Sequence, residues 1–326
     1  MTGIPATGAA EGVAAVSVDG TASALLPDLA QLRIGFIGAG RLGKALAWSL
    51  HEAGLRVTAV SSSTAASSAL LAARIPGCEA GTAQHVADRC DLVFLTTPDS
   101  FIAKVATQIK WRPGMAVVHC SGVSEVAALA SAAQGGADIG GLHPMQTFGD
   151  PAAAVASLPG STVTIEAQEP LNATLVALAA RLGCRVNRLP PGMRGRYHAA
   201  AGYTSQFINA LFGEASKIWQ SWGATEADAL QALLPMAYGT LASIKSAGIA
   251  AGMPGPVSRG DVGSIEKHVA ALAERGGPTL DFYRMLCAST ISLAVESGAI
   301  DAAAADRLRS ALDQYPAPAG QFKPPL

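Results

Sequence analysis

The chain has 326 residues, the length of about two average domains. Half of them are hydrophobic but only 5% are aromatic and 14% charged, so the apolar character comes from Ala, Leu and Val, and a disordered or collagenous chain is excluded. The 23 Lys and Arg against 24 Asp and Glu leave a net charge of -1 with no basic run, which argues against nucleic acid as a partner.

Mean hydropathy is +0.31, yet no stretch reaches the roughly 18 consecutive apolar residues of a spanning helix, so no membrane association is expected. Cys78, Cys90, Cys120, Cys184 and Cys287 are odd in number and widely spaced without a Cys-x-x-Cys pair. That pattern predicts reduced thiols, a cytoplasmic location and no metal site. Residues 1–30 lack a basic n-region and a clean apolar h-region and read as a mobile tail rather than a signal peptide.

From Arg33 short β-rich runs alternate with helical stretches, the mark of βαβ units. The expected strands are Ile34 to Ile37, Val57 to Val60, Leu92 to Thr96, Met115 to His119, Ile139 to Leu142, Ser161 to Ile165 and Cys184 to Leu189. Pro190-Pro191-Gly192 can continue neither a strand ladder nor a helix and sets the expected domain boundary. Beyond it the chain reads as helices only: Arg194 to Trp222, Glu226 to Ala250, Gly263 to Arg275, Leu280 to Ser297 and Ala302 to Leu312. The fold class is therefore α/β, a Rossmann-type parallel sheet domain over 31–190 followed by an all-helical domain over 191–314. Residues 315–326, rich in proline, read as a second mobile tail.

Gly38-Ala39-Gly40-Arg41-Leu42-Gly43 follows the first strand and opens a helix, the setting a G-x-G-x-x-G dinucleotide fingerprint requires. Gly38 permits the tight turn, Gly40 lets backbone approach a pyrophosphate, and Gly43 lets helix pack on strand. Gly38 to Lys44 also satisfies G-x-x-x-x-G-K, but Ala45 stands where a P-loop needs Ser or Thr for magnesium. At the end of the second strand, where an NAD site places Asp or Glu, this chain has Ser61, Ser62, Ser63 and Thr64. Hydroxyls without a carboxylate favour NADP over NAD, with Arg41 or Arg74 to meet the 2′-phosphate; the bland alternative is a solvated, helix-capping loop.

Ligands of open α/β sheets bind beyond the carboxyl ends of the strands. Three loops there carry polar groups: Thr96-Thr97-Pro98-Asp99, His119-Cys120-Ser121-Gly122 and His143-Pro144-Met145-Gln146. Thr97, Pro98 and Ser121 are assigned to the nicotinamide pocket. Hydride transfer needs a proton donor, and His198 and His143 are the candidates, in that order. His198, Gly202, Ser205 and Asn209 fall along one face of a continuous helix. His51 and His85 read as surface residues and His268 as solvated. In Gly255-Pro256-Val257-Ser258-Arg259-Gly260-Asp261, Ser258 and Arg259 can orient a polar substrate, while Asp261 can equally cap the next helix and pair with Arg259.

These motifs together, with Phe94-Leu95-Thr96-Thr97-Pro98-Asp99, His143 to Phe148 and Tyr197-His198-Ala199-Ala200-Ala201, resemble a family of Rossmann-like proteins with a helical C-terminal domain of uncharacterised function, described as NADP oxidoreductases. The resemblance runs from Arg33 to about Leu312. More distantly the layout is similar to pyrroline-5-carboxylate reductase, ketopantoate reductase, deazaflavin-dependent NADP reductases and the 6-phosphogluconate dehydrogenase superfamily. It implies a homodimer through the helical domain and a small-molecule substrate held in an interdomain cleft. The hydroxyacid dehydrogenases of that superfamily place a catalytic Lys on the first helix of the second domain with Asn four residues on; here His198 and Gly202 stand there. The expected activity is NADP-dependent hydride transfer to or from an imine or keto acid. A non-catalytic NADP sensor and a deazaflavin-dependent NADP reductase are the rival readings.

Overall fold

The computed structural model describes residues 28–314; the expected tails lie outside them apart from Asp28, Leu29 and Ala30. Contacts divide the chain into two compact units, Met1–Tyr203 and Thr204–Leu326. The division falls after the first helix that follows Pro190-Pro191-Gly192, so that helix belongs with the sheet.

In the first unit the elements are β1 (Arg33–Ile37), α1 (Arg41–Glu52), β2 (Arg56–Ser61), α2 (Ala65–Ala72), β3 (Glu79–Ala80), α3 (Ala83–Arg89), β4 (Leu92–Leu95), α4 (Ile102–Thr107), β5 (Ala116–His119), α5 (Ala130–Gln134), β6 (Asp138–Met145), α6 (Pro151–Ser157), β7 (Thr162–Ala167), α7 (Leu171–Arg181), β8 (Arg185–Arg188) and α8 (Arg194–Tyr203). The eight strands form one sheet in the order β3-β2-β1-β4-β5-β6-β7-β8. β3 is two residues long and escaped the sequence reading, because Glu79–Ala80 is too short to show a period.

The sheet departs from the expected all-parallel arrangement at one place: β6 and β7 are antiparallel, while β8 runs parallel to β7. The strand order reverses between β1 and β4, which puts the loops after β1, β4, β5 and β6 along one edge of the sheet.

Alternation along the strands buries two faces. Ile34, Phe36, Val57, Val60, Leu92 and Phe94 pack with Leu46, Ala47 and Leu50 of α1 and Leu175 and Leu178 of α7. Ile37, Val93, Leu95 and Val117 pack with Val86 of α3, Ile102 of α4 and Ala132 of α5. The Phe36 and Phe94 rings stack with centroids 5.3 Å apart. This double cover is why the strands of the parallel part read as unbroken apolar runs.

The second unit contains α9 (Gln206–Gln220), α10 (Glu226–Ala247), α11 (Val262–Arg275), α12 (Thr279–Glu296) and α13 (Ala302–Asp313). Ile265, Val269, Leu272, Ile291, Leu308 and Leu312 from the last three helices form its core. Helix starts follow local chemistry: Thr225 and Asp228 form a reciprocal capping box for α10, and Asp261 and Asp301 cap α11 and α13.

The expected single helix from Arg194 to Trp222 is two helices. Ser205, at φ -127° and ψ -93°, leaves helical geometry between α8 and α9. Thr204 and Ser205 are residue types whose hydroxyls compete for backbone hydrogen bonds, which favours a break. The expected polar stripe is therefore not continuous: His198 and Gly202 lie on α8, Ser205 at the break and Asn209 on α9.

Candidate functional site

The glycine loop has the geometry of a dinucleotide turn. Gly38 sits at φ +118°, and a methyl there would lie 2.6 Å from the Thr96 carbonyl carbon. Its amide donates to Ser61 O at 2.8 Å, and Thr96 Oγ1 donates to its carbonyl at 2.7 Å. A methyl on Gly43 would strike the Gly38 carbonyl and lie 2.7 Å from Thr96 Oγ1. Gly40 is different: exposed, with nothing within 4 Å of where its Cβ would be. It precedes α1, whose first turn has no side-chain cap. The first-turn amides of α1, those of Arg41, Leu42 and Gly43, thus have no side-chain cap, the condition a diphosphate requires.

Around this loop, Ser61 is buried, Ser62 half-buried and Ser63 exposed. Arg41 is exposed and makes no ion pair among the described residues. Arg74 is engaged, 3.6 Å from Glu52 and 4.2 Å over the Trp48 ring. Ala39 is buried and Leu42 packs on the core. Thr97 Oγ1 is buried with no partner among the described residues, and Pro98 follows it into solvent.

A second candidate group of side chains is assembled by the register of β6, β7 and β8. His143 pairs with Thr164, which pairs with Asn187, and one row along Gly141 pairs with Glu166. Residues directly opposite share a face of the sheet, so Gly141, His143, Thr164, Glu166 and Asn187 lie on one face. α8 covers that face with Arg194, Tyr197 and His198, spaced i, i+3, i+4.

Arg194 is fully buried. Its Nε donates to Glu166 Oε2 at 2.7 Å and its Nη1 to Ser121 O at 2.8 Å. The guanidinium occupies the space where Gly141 would carry a side chain. Arg194 therefore ties α8 to β7 and to the loop after β5. The Ser121 hydroxyl accepts from the amides of Val123 and Ser124 at 3.2 and 2.9 Å, which shapes the same loop.

Tyr197 and His198 then meet His143. The Tyr197 hydroxyl lies 2.7 Å from His143 Nδ1, and the His143 and His198 rings meet edge to face with centroids 5.9 Å apart. Gly122 fits between the imidazoles: a methyl there would lie 2.9 Å from His143 Nε2 and overlap the His198 ring edge. The structure brings together His143 and His198, both singled out from the sequence, with Arg194, Tyr197 and Glu166, which were not. The signal was present in the Arg-x-x-Tyr-His spacing and in the polar alternation of Thr162, Thr164 and Glu166.

Burial drives the electrostatics here. His143 is pushed down to about 4 by desolvation, with His198 and Arg194 adding repulsion, and His119 behind it is pushed to about 4 by burial and Arg194. Both rings are neutral in the folded chain at pH 7, whereas unfolded they protonate near 6.5. Between these values the unfolded chain binds more protons, so stability rises with pH across the window and is lost as pH falls from about 6.5 to 4. A loss of about 2–3 kcal/mol per ring is expected from shifts of this size. Urea midpoints at pH 7.5 and 4.5 measure it, and His119→Gln should remove about half of the difference.

Ser258 and Arg259 form a 3₁₀ turn of the second unit, where Ser258 Oγ donates to Gly255 O at 2.9 Å and Arg259 is exposed. Asp261 accepts from the Ser264 amide at 3.0 Å, which makes it a helix cap. His85 is paired with Glu79 at 3.0 Å, and His268, expected to be solvated, is held 2.8 Å from the Tyr283 hydroxyl. All five cysteines are free, with Cys90, Cys120 and Cys287 buried. No group of His, Cys, Asp and Glu suited to a metal occurs among the described residues, and no helix among them is long and apolar enough to cross a membrane.

Residues 19–144 match the family model of a Rossmann-like domain, and residues 161–290 that of a domain of unknown function, DUF2520. The histidine group spans both: Gly122 and His143 fall in the first match, Thr164, Arg194, Tyr197 and His198 in the second. Among solved structures the chain is similar to a putative NADP oxidoreductase from Bacteroides fragilis at 25% identity, over 81% of this chain and 99% of that one, with a TM-score of 0.64. A protein from Thermotoga maritima shares 22% identity over 81% and 99% of the two chains, with a TM-score of 0.68. A Plasmodium falciparum pyrroline carboxylate reductase with NADP bound shares 13% identity over 87% and 99%, with a TM-score of 0.54. The likeness to these last two is one of fold. No curated protein matches the chain. The chain thus joins a Rossmann-like match to a DUF2520 match that begins inside the same sheet, at β7.

Proposed function

We propose that the protein is an NADP-dependent oxidoreductase that transfers a hydride to or from a small polar substrate of the imine or keto acid type. The observation that carries this reading is a shared end of one sheet: the open, uncapped loop at Gly40 follows β1, and His143, which meets Tyr197 and His198, lies near the carboxyl end of β6, past the last residue of the neighbouring parallel strand β5. The loop would hold the diphosphate, and the orphaned Thr97 hydroxyl with Pro98 and Ser121 would border the ring that supplies or accepts hydride. The histidine pair would hold the proton.

The 2′-phosphate would fall to Ser62, Ser63 and Arg41, since Arg74 is already engaged. Arg41→Ala should weaken NADPH binding about tenfold or more, roughly the 1.4 kcal/mol of one charge-assisted contact, and leave NADH unchanged. Fluorescence titration of wild type, Arg41→Ala and Arg74→Ala checks this. Equal losses for NADPH and NADH would refute the phosphate assignment. NADPH binding with no turnover on any keto acid or imine would point to a sensor instead.

We also infer a homodimer through the helical unit, and a cytoplasmic location consistent with five unpaired thiols. α10 buries only Ala229 although Leu234, Met236, Tyr238, Leu241 and Ile244 all project from it. So many exposed apolar side chains on one helix mark an interaction surface, and a second copy of this chain would cover it. Sedimentation should return twice the chain mass of 32.9 kDa, and Leu241→Glu with Tyr238→Glu should return the monomer.

A further inference from the structure

Four polar side chains stand in single file on the face of the sheet beneath α8. Asn187 Nδ2 donates to Thr164 Oγ1 at 3.0 Å. Thr164 hydrogen-bonds the Tyr197 phenol, and the phenol oxygen lies 2.7 Å from His143 Nδ1. The direction of the protons follows from satisfying each group. Thr164 is fully buried, its oxygen already accepts from the Asn187 amide, and its single proton has the Tyr197 oxygen as acceptor. A buried hydroxyl that left this acceptor unused would bear an uncompensated desolvation cost. The Tyr197 proton is then directed at His143 Nδ1. A neutral imidazole that accepts at Nδ1 carries its own proton on Nε2, and His143 Nε2 faces the space above Gly122 that a side chain there would fill.

We propose that the file Asn187, Thr164, Tyr197 locks His143 as a neutral Nε2–H donor, and that this proton, with the Tyr197 proton behind it, is the one delivered to substrate. The proposal rests on the reductase reading above. As hydride adds to the carbon of a C=O or C=N bond, the released π electron pair on the heteroatom takes the Nε2 proton and a new O–H or N–H bond forms. The Tyr197 proton moves to Nδ1, so the imidazole stays neutral and never becomes an imidazolate. Burial raises the Tyr197 phenol, and the Thr164 hydroxyl and the Arg194 charge offset part of that cost for the electron pair left on its oxygen; as water reprotonates Nε2, the Nδ1 proton returns to the Tyr197 oxygen. His143 is the catalytic donor; Tyr197, Thr164 and Asn187 are positioning residues. His198 then lines the space in front of Nε2. The charged and titratable groups around His143 are His198, Arg194, Asp99 and His119.

Nitrogen-15 NMR of the imidazole rings in the full chain tests this, with His143→Gln and His198→Gln used to assign the signals. The wild type should show His143 as the Nε2–H tautomer at pH 7. Tyr197→Phe should leave a mixture of tautomers, and Asn187→Asp, which turns the amide donor into an acceptor and reverses the file, should move the proton to Nδ1. Circular dichroism of each variant separates these shifts from loss of fold. A wild-type Nδ1–H tautomer, or a Tyr197→Phe protein with the tautomer unchanged, would overturn the proposal. NADPH titration of the same samples keeps the two readings apart: a chain with the Nε2–H tautomer that binds no NADPH retains the hydrogen-bonded file and loses the reductase.

Discussion

Gly40→Ala should weaken NADPH binding roughly a hundredfold, about 2.7 kcal/mol, while leaving stability within about 1 kcal/mol of wild type. The reason is local. Gly40 has φ -71°, a conformation that alanine adopts freely, and no atom lies within 4 Å of the added methyl. No described atom resists the substitution, but the methyl adds bulk at the N-terminus of α1, whose first turn has no side-chain cap and where the diphosphate would sit. Gly43→Ala should behave in the opposite way. Its methyl meets the Gly38 carbonyl and lies 2.7 Å from Thr96 Oγ1, so it wedges α1 away from the sheet at a cost of about 1–3 kcal/mol, as for other overpacked sites. Urea midpoints and NADPH titration on both variants separate the effects. If Gly40→Ala binds NADPH as tightly as wild type, the diphosphate does not sit on this loop.

Arg194→Met should cost about 3–5 kcal/mol of stability, the usual loss when one partner of a buried ion pair is removed. Arg194 is fully buried, and its partner Glu166 is largely so. Without the guanidinium the carboxylate keeps its desolvation cost and loses its countercharge, and the Ser121 carbonyl loses its donor. Arg194→Lys should recover little, because one ammonium cannot reproduce the two diverging bonds from Nε and Nη1. Equilibrium urea unfolding measures both, with Glu166→Gln as the milder neutral comparison. A loss below about 1 kcal/mol for Arg194→Met would show that the pair does not hold α8 to the sheet.

The two halves of the site were legible to different degrees. The turn at Gly38 and the helix contact at Gly43 could be read from the glycine spacing, whereas the crowding of both by Thr96 could not. The Asp261 cap was legible too, because its chemistry is local. His143 and His198 were legible as types and as strand-end or helix-start positions, yet nothing in the sequence says that they touch. Their meeting depends on Gly122 being slim enough to lie between them and on Arg194 filling the side-chain space of Gly141. The continuous helix expected from Arg194 to Trp222 failed for a related reason: periodicity is smooth across Thr204 and Ser205, while the two compact units part there.

By itself the sequence determined the class of fold, the position of the glycine loop after β1 and the absence of a carboxylate at the end of β2, since hydrophobic period, glycine spacing and residue type are short-range properties of the chain. Only the tertiary structure decided the reversal at β7. That reversal aligns Glu166 with Gly141 and Thr164 with His143, and the choice between parallel and antiparallel pairing is made by contacts between segments some 20 residues apart. Through it Arg194 acquires an anion, His143 a hydroxyl partner and the sheet edge its group of side chains suited to holding a proton.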